Sequence, residues 1–123
     1  MSEIKKVLQG NEIIVALSVS NENQEQFDFT GVEYRLALHS KVNGLYEVHV
    51  DSHTGGVLKG SVTNANVLPG LYYLDLICWK SVNGIRRYRR SRSKELLQVT
   101  NDESATESDG AIEHMNINMR SFK

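Results

Sequence analysis

The sequence predicts an all-β domain: an antiparallel sandwich or barrel of about seven strands, followed by a C-terminal arm. Three observations carry this. Apolar residues recur with a period of two along most of the chain, the mark of a half-buried strand, because successive side chains leave opposite faces. The pairs Asn43-Gly44 and Asn83-Gly84 each separate two such runs. Asn-Gly supplies the two positive-φ residues that a type I′ hairpin turn requires. Finally, no segment shows a capped 3.6-residue period.

The strands follow in order. Ile13, Val15, Leu17 and Val19 share one face, while Ile14 and Ala16 give way to Ser18 and Ser20 on the other. Val32, Tyr34, Leu36 and Leu38 alternate with Glu33, Arg35, Ala37 and His39. Tyr46, Val48 and Val50 repeat the pattern, and Leu58 with Val62 does so weakly. The strongest run is Leu71 to Trp79, where Tyr72, Leu74, Leu76 and Cys78 make one apolar face. Leu97 and Val99 close the series, after Gly55-Gly56 and Leu68-Pro69-Gly70 have broken the chain between earlier runs. Tyr34, Leu36, Leu74, Leu76 and Cys78 are accordingly expected in one core.

Composition sets the bounds. At 123 residues the chain is one domain's worth, with residues 1–100 as its body. The net charge of −1 argues against a protein that coats nucleic acid over its whole surface. A single cysteine, Cys78, permits no internal disulfide and reads as a small buried hydrophobe. The N-terminus lacks the apolar run of a signal peptide, and no stretch of eighteen apolar residues could span a membrane. A soluble protein made in the cytoplasm is expected.

Residues 101–110 (NDESATESDG) are acidic and small, and read as a flexible linker spanning on the order of 15–20 Å. In residues 111–123, Met115, Ile117 and Met119 alternate with Asn116 and Asn118. A lone strand has no stability in water, so this arm must either return to its own sheet or add to an edge of another subunit. The length of the linker favours exchange.

No catalytic or metal constellation stands out, and no enzyme, cofactor or small-molecule substrate is expected. His49 and His53 are four apart, but they fall on strand-like sequence and no glutamate follows His49 as a zinc protease would need. The candidates for partner binding are of other kinds. Lys80, Arg86, Arg87, Arg89, Arg90, Arg92 and Lys94 supply seven of the fourteen cations, and no acid occurs from Leu76 to Lys94. On a strand, Arg86, Arg90 and Arg92 flank Tyr88 on one face and Arg87 and Arg89 point to the other. Arginines with an interleaved aromatic suit a phosphate backbone with stacked bases, or else pair with acids of this chain or of a neighbour, among which Asp102, Glu103, Glu107, Asp109 and Glu113 are close in sequence. The outward face of the strongest run (Leu71, Tyr73, Asp75, Ile77, Trp79) is itself largely apolar, so it is either buried or offered to a partner. Tyr73 and Trp79 also admit a carbohydrate-binding reading.

The order of elements carries a resemblance over about residues 7–100. Leu8-Gln9-Gly10-Asn11 leads into the first strand, and Phe27-Asp28-Phe29-Thr30-Gly31 precedes the second. Gly56-Val57-Leu58-Lys59-Gly60, then Leu68-Pro69-Gly70-Leu71-Tyr72-Tyr73-Leu74-Asp75-Leu76, a basic hairpin and Leu97-Gln98-Val99 follow. This is similar to the immunoglobulin-like β-sandwich at the N-terminus of phage baseplate upper proteins and related tail and head fibre proteins. The resemblance implies an immunoglobulin-like fold and a non-enzymatic virion structural protein: a head-fibre base, a decoration protein or a tail or baseplate adaptor. It would be made in the bacterial host cytoplasm and form a homo-oligomer, with a trimer favoured. Its partners would be itself and other virion proteins, not membrane or nucleic acid. The candidate contact residues are then Tyr73, Trp79, Arg86, Arg87, Tyr88, Arg89, Arg90 and Arg92, with Met115, Ile117 and Met119 on the arm.

Overall fold

The computed structural model describes residues 4–62, 66–101 and 110–122. It is all-β, a mixed sheet curled into a half-barrel. Its strands are β1 (Lys5–Leu8), β2 (Ile13–Ser20), β3 (Glu33–Ser40), β4 (Gly44–Ser52), β5 (Val57–Val62), β6 (Gly70–Val82), β7 (Ile85–Arg92), β8 (Leu97–Thr100) and β9 (Gly110–Asn118), with one 3-10 turn at Thr54–Gly56. The spatial order is β1-β8-β6-β3-β4-β5-β2-β9, and β7 pairs with β6 beyond the stretch that β8 covers. Among the described residues, no helix is long and apolar enough to cross a membrane.

The alternating runs become strands with the expected faces inward. Val15, Leu17 and Val19 of β2 meet Leu36 and Leu38 of β3, Leu58 of β5, and Tyr72, Leu74, Leu76 and Cys78 of β6 in one core. Side chains of this size each gain about 1.5–3 kcal/mol on full burial, so register is fixed by which face carries them. Tyr34 departs in degree. It is half-buried, resting on Phe29 and His53 at the rim of the core. Desolvation there raises its hydroxyl pKa.

The two Asn-Gly turns part company. Val82 lies opposite Ile85 across a two-residue turn in which Asn83 and Gly84 both have positive φ, 53° and 79°, as a type I′ turn demands. At the β3–β4 turn Ser40 lies opposite Gly44, and only Gly44 (φ 81°) is left-handed. The expected mirror-image turn is absent there. The Ser40 hydroxyl instead accepts from the amides of Val42 and Asn43, each at 3.2 Å. Asn43 Nδ2 is then free to donate to the Pro69 carbonyl at 2.9 Å and to Tyr72 Oη at 3.1 Å.

Three further findings concern strands. β1, with Val7 its one buried residue, is too short to show alternation and brings the count above seven. The ladders are not all antiparallel, since β1 runs parallel to β8 and β9 parallel to β2. Finally, the arm lies parallel to β2 of its own chain. β9 sets Ile112, Met115 and Ile117 opposite Val15, Leu17 and Val19, so its apolar face completes this chain's core. After β9, Met119 is buried and Phe122 packs edge-on to Phe27. The linker acids Asp102, Glu103, Glu107 and Asp109 lie outside the described residues.

Candidate functional site

The candidate site is the outer face of β3, β6 and β7. Register aligns its side chains in rows: Glu33, Trp79 and Tyr88; then Arg35, Ile77 and Arg90; then Ala37, Asp75 and Arg92; then His39 and Tyr73. Directly opposed side chains on one face of an antiparallel ladder stand close enough to pair, and each row does so according to its chemistry.

Asp75 anchors the face. It is the sole acid in a strand otherwise apolar on both sides, and its side chain is 5% exposed. Arg90 grips it with both prongs, Nε donating to Oδ1 at 3.1 Å and Nη2 to Oδ2 at 2.7 Å. Arg92 Nε stands 3.5 Å from Oδ2 and His39 Nδ1 stands 3.4 Å from it. Burial pushes the Asp75 pKa up. The Arg90 hydrogen bond, the charges of Arg90 and Arg92 and the His39 bond outweigh that and hold the carboxyl below its ordinary range. Tyr73 Oη lies 2.9 Å from His39 Nδ1, and the Arg92 guanidinium sits 5.8 Å over the Tyr73 ring.

At the other end of the face, Trp79 Nε1 donates to Glu33 Oε2 at 2.6 Å, and the Trp79 and Tyr88 ring centroids are 6.3 Å apart. Tyr88 is 57% exposed. Arg86 and Arg87 are exposed, and among the described residues neither has a carboxylate within ion-pair distance.

The predicted contact residues therefore divide. Trp79, Arg86, Tyr88, Arg90 and Arg92 are brought together on one face, while Arg87, opposite Lys80 in register, leaves β7 on the other. Tyr73 is buried beneath Arg92, so it offers a partner little surface. Arg89 points to the other side of β7, as the alternation predicts. Its guanidinium stacks 4.9 Å from the Phe122 ring, with Nε donating to the Ser121 carbonyl at 3.3 Å. Met115, Ile117 and Met119 face the core of this chain and are withdrawn from a partner surface, because Val15, Leu17 and Val19 already face β9.

Asp75, Glu33 and His39 are site residues that the partner list lacks. The signal for Asp75 is present in the sequence. An acid inside a largely apolar strand cannot stay unpaired, and a run of arginines follows in the next strand of the hairpin.

Among the described residues, no group of three histidines, cysteines, aspartates or glutamates converges as a metal site would require. His49 Nε2 lies 3.3 Å from Asp51 Oδ1, both side chains in solvent. Cys78 is buried and free, its thiol pushed up to about 12 by desolvation, so it is no nucleophile. A cleft of about 450 Å³ opens between the β7–β8 connection and β9, over Leu96, Met115 and Ile117. Its Ser93 is committed to backbone: Oγ accepts from the Leu74 amide and donates to the Lys94 carbonyl, each at 2.8 Å. No family model matches the chain, and no curated protein is significantly similar to it.

Proposed function

We propose that the chain is a non-enzymatic assembly module with an immunoglobulin-like sandwich fold, akin to the first domain of phage baseplate and fibre proteins. It docks onto other virion proteins through the outer face of β3, β6 and β7. Two features support the fold reading. The pairings β2 with β5, β3 with β6, and β6 with β7 and β8 are those of strands B–E, C–F and F–G of an immunoglobulin domain. Tyr72, entering β6, also donates its hydroxyl back to the Leu68 carbonyl at 2.5 Å, the arrangement of a tyrosine corner.

The observation that carries the docking reading is the exposed row of Arg86, Tyr88 and Arg90 beside Trp79, with Arg90 held by the buried carboxylate of Asp75. Arginine and aromatic side chains dominate protein–protein hot spots, and an arginine already gripped by Asp75 loses less freedom on binding. The nucleic-acid reading is weaker, because Asp75 neutralises part of the charge of Arg90 and Arg92, and Glu33 adds a further acid beside Trp79. The carbohydrate reading loses Tyr73 to burial.

The test is incorporation. The chain should copurify with gradient-banded particles of the phage that encodes it, and Arg86→Glu with Arg87→Glu should abolish that while leaving the fold intact. A chain absent from particles ends the virion reading. Tight binding of single-stranded DNA that weakens steeply with salt would replace the docking reading with the nucleic-acid one.

A further inference from the structure

Among the described residues, β7 leaves one strand edge open, as β1 and β9 do at the two ends of the strand order. β6 carries two strands on the same side: β8 beside Gly70–Tyr72 and β7 beside Asp75–Val82. β8 is covered in turn by β1, with Lys5 opposite Leu97 and Leu8 opposite Thr100. Among the described residues nothing pairs with the outer edge of β7, and all its residues but Arg89 and Ser91 are exposed. An unpaired edge is a template for another extended chain, and proteins usually blunt such edges with charge. Here the charge also selects.

From these features, and resting on the docking reading above, we infer that β7 recruits an extended acidic segment of a partner protein by strand addition, in line with β1. A second copy of this chain is a poor occupant. Two β7 strands paired edge to edge would set arginine against arginine in a row, and like charges directly opposed destabilise a ladder. An acidic strand reverses that sign. Its main chain would take up the outward amides and carbonyls of β7, displacing Arg89 Nη1 from the Tyr88 carbonyl to which it donates at 3.0 Å, and its side chains would alternate between two faces. On the outer face they meet Arg86, Tyr88 and Arg90 in turn, which calls for an acid, an aromatic and an acid at every second position. Asp75 already compensates Arg90 and Arg92, whereas among the described residues Arg86 and Arg87 have no carboxylate within ion-pair distance and only Arg86 feels the more distant charge of Glu33, so discrimination concentrates at the turn end of β7.

The experiment uses the whole chain and the fluorescein-labelled peptide Thr-Glu-Thr-Tyr-Thr-Glu-Thr. Its palindromic order presents the same side chains in parallel or antiparallel alignment. Fluorescence anisotropy should show saturable binding that weakens at least about tenfold for the lysine version of the peptide, and by a similar factor for Arg86→Glu with Arg87→Glu. Circular dichroism and the melting temperature of that variant should match the parent, as expected for two exposed side chains. The decisive arm is a peptide N-methylated at alternate residues on the edge that would face β7. It keeps every charge, loses the N–H donors it would offer to β7 and sets methyl groups against that edge, and should bind at least about tenfold more weakly. Equal binding of the methylated peptide overturns strand addition and leaves charge-led docking standing. No saturable binding of the acidic peptide overturns the inference outright, and incorporation into particles then decides the docking reading separately.

Discussion

β7 and β9 are both marginal strands, each paired with a single neighbour, and they are held by opposite means. β9 puts Ile112 and Ile117 into the core, with Met119 following, and is stabilised by burial. β7 leaves six of its eight residues in solvent. It is held by its ladder with β6, by a two-residue turn and by one carboxylate beneath its arginines. A strand that stabilises the core has its side chains committed inward, and a strand left outside keeps them for a partner. The difference places the candidate site on β7 and removes it from the arm.

The largest effect expected from this contrast lies in β9. Ile117→Ala should cost about 2–4 kcal/mol in urea unfolding, the usual range for truncating a buried aliphatic side chain. A loss under about 1 kcal/mol would mean that β9 adds little to the core, and the comparison would fail. Next comes the anchor of β7. Asp75→Asn should cost about 1–3 kcal/mol at neutral pH, less than a fully enclosed ion pair would, because Arg90 and Arg92 can still reach water. The sign of its pH dependence follows from the depressed Asp75 pKa. The stabilisation is fully present above the unfolded value near 4 and is lost as pH falls from there through the lower folded value. The gap between wild type and Asp75→Asn should therefore close below about pH 4. A gap that stays constant down to pH 2 would show that charge is not what Asp75 contributes.

Cys78 sharpens the same comparison from within. It lies on the inner face of β6, opposite Arg89 in register. With its thiol pushed up to about 12, alkylation at pH 8 should be slow in the native protein and rapid in urea. Fast native labelling would mean that β7 opens readily. The smallest effect is expected at the solvent side, where Arg86→Ser with Arg87→Ser should change stability by no more than about 0.5 kcal/mol.

Much of this was legible in the sequence. Alternation set the faces of β2, β3 and β6, because a one-residue slip would bury Glu33 and Arg35 in place of Tyr34 and Leu36. The split of the arginines to two sides of β7 follows from the same period. The division at the two Asn-Gly pairs was not legible. Asn83 turns the backbone, whereas Asn43 serves through its side chain, and only the neighbouring Pro69 carbonyl and Tyr72 hydroxyl decide between them. β1 was hidden by its length. The length of the linker favours exchange, but a strand's apolar face shows only that it needs a core, not whose core it finds.

The parallel pairing of β2 with β9 also has a consequence in time. Ser20 and Asn116, bonded to each other, are 96 residues apart in the chain. Non-local pairs of this kind form late, since a long loop must be ordered before any ladder bond repays it. As the chain emerges from the ribosome, β2 and β5 can pair well before β9 has been made. For that interval β2 presents a bare edge with Val15, Leu17 and Val19 beside it, the period in which a nascent chain is most prone to pair wrongly. In pulsed hydrogen exchange during refolding, the amides of β9 should gain protection after those of β6 and β7, whose register closes locally through the two-residue turn at Asn83-Gly84.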